Sequence, residues 1–142
     1  MSIPMWALLG FAAWTALLLT FTVGVYRWVE IFAGRAGVAG FPAVAVEGAD
    51  WYKRSMRAHA NCIENLPVFG AVVMALNQSG VSGPWVDALC IATVVARVIQ
   101  STIHVSTVQT DAVVAVRFSF FSVQLVSFLA LMGMVVRHAL VG

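Results

Sequence analysis

Residues 1–26, MSIPMWALLGFAAWTALLLTFTVGVY, contain no Asp, Glu, Lys, Arg or His. A charge-free run of this length reads as a helix solvated by lipid, because about 20 apolar residues span the hydrocarbon core of a bilayer. The pattern recurs: residues 65–86 and 118–136 are also free of charge. Across the 142 residues 61% are hydrophobic and 10% are charged, whereas a soluble domain devotes about a quarter of its residues to charge. Those proportions exclude most cytosolic enzymes and suit a single domain, residues 1–142, in a lipid bilayer. The first run is expected to remain as a membrane helix. No basic segment precedes it, and Ile3 to Tyr26 is far longer than the apolar core of a secretory signal, about 7–15 residues. Ala43-Val44-Ala45 is therefore not read as a cleavage site.

Working outward, helix one is expected from Pro4, a residue suited to a helix's first turn, to Phe32. Gly34, Gly37, Gly40 and Pro42 then break it, so Ala33 to Asp50 reads as an irregular loop at the membrane surface. Helix two begins at Asp50 as N-cap and runs past Pro67, where a kink is expected, to Leu76. Asn77 to Pro84 is a turn, helix three covers Trp85 to Val105, a short loop spans Thr107 to Asp111, and helix four covers Ala112 to Ala139. The fold class is all-α, an integral-membrane four-helix bundle. Trp6, Trp28, Trp51 and Trp85 fall near span ends, the ordinary place for an interfacial aromatic belt.

Topology follows from the basic residues, which are retained on the cytoplasmic side. Arg27, Arg35, Lys53, Arg54 and Arg57 flank or occupy loop one, while the N-terminus and the second loop carry none. Loop one is expected in the cytoplasm and both termini on the opposite, periplasmic or lumenal side. Arg137 is the one dissenting charge. The net charge of +2 leaves no footprint for nucleic acid.

An ionisable side chain at the centre of a span costs about 2.5–3.5 kcal/mol on insertion scales, so each one asks for a partner or a purpose. Arg57, Asn61 and Glu64 are spaced four and three apart and share a face of helix two. Arg97, Gln100, Ser101 and His104 make a second stripe on helix three, and Arg117 opens helix four on the same side of the membrane. The bland reading is a buried Glu64–Arg97 pair that fixes helix register, with Asn61 as interhelical glue. Against it, three arginines converge on one glutamate. The surplus points to an anionic ligand gripped by guanidinium forks, with Glu64 taking a ligand ammonium. A small zwitterion with more than one carboxylate fits that arithmetic.

Other chemistries find less support. His59, His104 and His138 show no metal-binding spacing, and no phosphate loop or nucleophile elbow is present. His59 is expected at the surface or at an interface, Cys62 and Cys90 as small apolar residues without a disulfide, and the Met and Phe residues of helix four as bundle core. No inverted repeat suggests a solute carrier.

The segment Arg57-Ala58-His59-Ala60-Asn61-Cys62-Ile63-Glu64-Asn65-Leu66-Pro67, read as R-A-x-x-N-x-x-E-x-x-P, resembles the MAPEG superfamily of membrane-associated proteins in eicosanoid and glutathione metabolism. The likeness extends over the whole chain in length, four-span plan and the arginines of helices three and four. It implies a homotrimer of four-helix bundles that binds glutathione, or a related low-molecular-weight thiol, between subunits, and acts as a transferase or peroxidase on lipophilic electrophiles. Glutathione carries two carboxylates and one ammonium. By the same resemblance Arg57, Asn61, Glu64 and Arg97 bind the thiol, with Gln100 and His104 as further contacts, and Arg117 holds it as thiolate. This chain has Gln100 and His104 where several family enzymes carry aromatic or hydroxyl ligands, and Asn65 and Phe121 where relatives have tyrosines. Some members bind lipid or partner proteins without catalysis, so a noncatalytic lipid-binding or scaffold protein is the alternative.

Overall fold

The computed structural model describes residues 1–141. Regular structure among them is entirely helical, and four helices are long and apolar enough to cross a membrane: helix one, Ile3–Phe32; helix two, Asp50–Ser79; helix three, Pro84–Ser106; and helix four, Asp111–Val141. Helix two continues beyond Leu76 to Ser79 and stops at Gly80, whose left-handed φ of 70° glycine accepts without steric cost. Its N-cap is Ala49, so Asp50 is the first helical residue, where the helix dipole favours a carboxylate. Helix three starts one residue early because Pro84 has the backbone angle of a first turn.

Helix one departs from the expected uninterrupted α-helix. The hydroxyls of Thr15, Thr20 and Thr22 donate back to the carbonyls of Phe11, Ala16 and Leu18, a habit that bends helices. Leu19–Gly24 widens into a π-turn, with the Val25 N–H reaching the Thr20 carbonyl. Gly24 suits this turn, since a Cβ there would stand 3.3 Å from the Leu19 carbonyl oxygen. The segment packs on helix two and buries Val23.

Beyond the π-turn, helix one fastens loop one. Tyr26 stacks on Tyr52 of helix two with ring centroids 4.2 Å apart, and its hydroxyl accepts the Ala49 N–H at 3.3 Å. Arg27 Nε donates to the Tyr52 hydroxyl at 3.0 Å, and its guanidinium lies 5.3 Å from the Phe41 ring centroid. Gly48 passes the Tyr26 ring so closely that a Cβ would meet the hydroxyl at 2.6 Å, at a φ of +127°. Arg35 closes a two-pronged ion pair on Glu30 at 2.8 and 2.9 Å.

Helices two and three are the central pair, each packing against all of the other spans. The bundle is divided along its length. Toward the second loop the interior is apolar, with Val72, Val73, Leu76, Val86, Cys90 and Leu131 buried together. Phe11, Phe69 and Phe128 form an aromatic ladder across helices one, two and four, at centroid separations of 5.7 and 5.8 Å. Toward loop one the interior is polar: Ser55, Arg97, Gln100, Ser101, His104 and Gln124 are all buried. Leu9, Phe21, Val126 and Leu129 are exposed on the outside, as expected of surfaces facing lipid.

Candidate functional site

In the polar half, helices two, three and four part to leave a cleft of about 310 Å³. Asn61, Glu64 and Asn65 line it from helix two, Arg97 and Gln100 from helix three, and Val114, Arg117, Phe118 and Phe121 from helix four. Exposed Glu64, Val114 and Phe118 form its mouth. The structure thus brings five of the sequence-derived site residues, Asn61, Glu64, Arg97, Gln100 and Arg117, around one space.

Arg97 dominates its floor. The residue is 1% exposed, and its guanidinium lies over the Phe11 ring, 5.6 Å from the centroid. Trp14 Nε1 donates to the Ser101 hydroxyl at 2.8 Å, which in turn donates to the Arg97 carbonyl at 2.7 Å, pinning that turn of helix three against helix one. Yet Arg97 Nε and Nη2 are buried without any acceptor, and Arg117 Nε is in the same condition. The salt bridges among the described residues join Glu30 to Arg35 and Asp50 to Lys53. Glu64 and Arg97 form none, so the register-fixing pair is not made. A cation taken from water costs several kcal/mol unless its donors are satisfied. Arg97 and Arg117 line the cleft, each with buried donors that no protein group accepts.

The remaining walls sort by chemistry. Asn65 Nδ2 donates to the Asn61 carbonyl at 2.8 Å, which leaves the Asn65 carbonyl oxygen as an acceptor beside the Glu64 carboxylate. Donors thus concentrate on helices three and four and acceptors on helix two. Gln100 accepts a 3.0 Å hydrogen bond from Gln124, a fully buried residue of helix four that sequence reasoning did not single out. Phe118 and Phe121, expected in the bundle core, supply the cleft's apolar wall instead.

Arg57 and His104 lie outside the cleft. Each stands four residues from the nearest cleft residue on its own helix, Asn61 and Gln100, about 6 Å along the axis at 1.5 Å per residue, and both lie toward loop one. Arg57 is exposed and lines grooves with Lys53 and Met56 and with Arg54 and Gln109. His104 is buried. Arg54 and Arg57 stand together on the loop-one side of the cleft. Arg54 is held there by donating to the Val105 carbonyl at 3.1 Å. His59 is half-buried, with Nδ1 sealed and unpartnered.

A larger hollow of about 530 Å³ at the opposite end of the bundle has Arg137, His138, Met134 and the turn at Gly80 to Ser82 on its walls. Its basic groups are exposed helix-end side chains, and no buried polar group is aimed into it. A family model described as MAPEG family matches residues 11–137, nearly the whole chain. Neither a curated protein nor a solved structure matches the chain.

Proposed function

The chain belongs to the MAPEG family, and on that premise we propose that it is a membrane-bound glutathione transferase or peroxidase that activates the thiol toward electrophiles dissolved in the bilayer. The observation that carries this reading is Arg97, a buried guanidinium with two N–H groups free of any acceptor on a cleft that also holds Arg117 and Glu64. In this reading a carboxylate of glutathione, or of a related thiol, satisfies Arg97, and its ammonium meets Glu64 and Asn65. Asn61 and Gln100 complete the contacts, while Arg57 attracts the anion from the loop-one side.

Arg117 is the activating residue. A guanidinium beside the sulfur favours the charged form and lowers the thiol's pKa, so the proton passes to water and the thiolate remains. Thiolate attack on an electrophilic carbon forms the S–C bond while the leaving group departs with its electron pair. On a hydroperoxide the same thiolate attacks the terminal oxygen, the O–O bond breaks with its electron pair leaving on an alkoxide that takes a proton from water, and a second thiol converts the resulting sulfenic acid to a disulfide with release of water. Phe118 and Phe121 form an apolar wall suited to a lipophilic reactant.

The working assembly in this proposal is a homotrimer. Arg57 and Glu64 are exposed on helix two, in company with Ile63, Val68 and Met74. Charges facing hydrocarbon are costly, and a neighbouring copy covering that face removes the cost. The count of three comes from the family resemblance. The basic residues around loop one support a cytoplasmic loop one and periplasmic termini, in a bacterial inner membrane. Purified protein in detergent tests the function. Adding glutathione should raise the ultraviolet absorbance of a thiolate, and a chlorinated nitroaromatic should then be conjugated. Silence in both assays would instead favour the noncatalytic scaffold.

A further inference from the structure

We infer that Gln124 is a positioning residue for the ligand: it fixes the Gln100 side chain with its amide N–H groups turned into the cleft, making that wall a donor that selects an anionic acceptor. The inference rests on the proposed thiol site and deepens it.

The argument is one of hydrogen-bond polarity. An amide side chain has one accepting and one donating end, and which end faces which neighbour must follow from the network. Gln124 Nε2 donates to the backbone carbonyl of Phe120 at 3.0 Å and to Gln100 Oε1 at 3.0 Å. The Phe120 carbonyl has no proton to give, so the end of Gln124 that meets it must be the N–H₂ end. That same end meets Gln100, which must therefore present its oxygen to Gln124. With its oxygen engaged in the core, Gln100 has its amide nitrogen left for the cleft it lines. A backbone atom of helix four thus dictates, through two side chains, that the cleft meets its ligand here with N–H groups, next to the free donors of Arg97.

Gln124 is poorly explained as a structural residue. It is 0% exposed, and its own Oε1 is buried with no donor. An apolar side chain of the same size would avoid that orphan, and buried polar groups are ordinarily paired. Its polarity is accounted for once Gln100 needs orienting.

A double-mutant cycle in detergent tests this. Glutathione affinity is measured by calorimetry for the wild type, Gln124→Met, Gln100→Leu and the double variant, with thermal melting to show that each is folded. Gln124→Met should weaken binding about tenfold, the worth of a hydrogen bond to a charged group, without lowering the melting temperature. In the Gln100→Leu background the same change should cost nothing further. Gln124→Glu, whose carboxylate accepts from Gln100 and turns its carbonyl to the cleft, should weaken binding more than Gln124→Met. Equal losses from Gln124→Met in both backgrounds, or no loss in either, overturn the inference while leaving the thiol site standing. Failure of the wild type to bind glutathione overturns the site and this inference with it.

Discussion

Arg97→Met separates a binding arginine from a structural one, because the two roles give opposite signs. Two guanidinium N–H groups, Nε and Nη2, lack acceptors, and a hydrogen bond to a charged group contributes about 1.5–3 kcal/mol. Losing both should cost about 3–6 kcal/mol of binding, or roughly 10²- to 10⁴-fold in Kd. In the empty protein the balance reverses. Burial of an unsatisfied cation costs several kcal/mol, and its stacking over Phe11 returns only about 0.5–2 kcal/mol. Methionine fills much of the same space, so the unliganded variant should be more stable than the wild type by about 1–3 kcal/mol. Thermal unfolding in detergent with and without glutathione reads both effects. The wild type should gain about 2.7 kcal/mol at a ligand concentration a hundredfold above Kd, and the variant almost nothing. A variant less stable than the wild type in the absence of ligand, or still stabilised by glutathione, would refute the reasoning.

Arg117→Ala should abolish turnover while leaving glutathione affinity within a few-fold of the wild type, as a kcat and calorimetric comparison would show; equal loss of both would make Arg117 a binding residue. Glu64→Gln removes the carboxylate at the cleft mouth and should weaken glutathione binding about tenfold or more, with far less effect on an analogue that lacks the amino group. Gly48→Ala places a methyl 2.6 Å from the Tyr26 hydroxyl at a φ of +127° and should destabilise the protein by about 1–3 kcal/mol; an unchanged melting temperature would show that loop one adapts freely. Phe69→Ala empties the middle of the aromatic ladder and should cost about 3–5 kcal/mol, visible as a large drop in melting temperature.

The spans were legible because lipid demands long apolar runs that few other structures need, and the Asn77 to Pro84 and Thr107 to Asp111 breaks are strong local signals. Boundaries moved by a few residues at Leu76, Trp85 and Ala139, where helix ends depend on caps and not on apolar pattern. The π-turn at Leu19–Gly24 was hidden, since threonines and a glycine occur equally in straight membrane helices. Helical spacing gave the right face for Asn61, Glu64, Arg97 and Gln100 but not the depth. Periodicity fixes an angle around the axis and not a height along it, and Arg57 and His104 fall on the loop-one side of the residues that line the cleft. Trp14 and Gln124 were passed over because each is a single polar residue in a hydrophobic run. Their significance lies in the partners Ser101 and Gln100, on other helices. Phe118 and Phe121 read as core because nothing in their spacing distinguishes a cleft wall from an interior.

The most direct measurement is an experimental structure of the detergent-purified protein bound to glutathione. The account predicts a ligand carboxylate within hydrogen-bonding distance of Arg97 Nε and Nη2, the sulfur beside Arg117 and the ammonium toward Glu64. Glutathione seated elsewhere, or an acidic side chain from a neighbouring copy occupying those two donors, would contradict it.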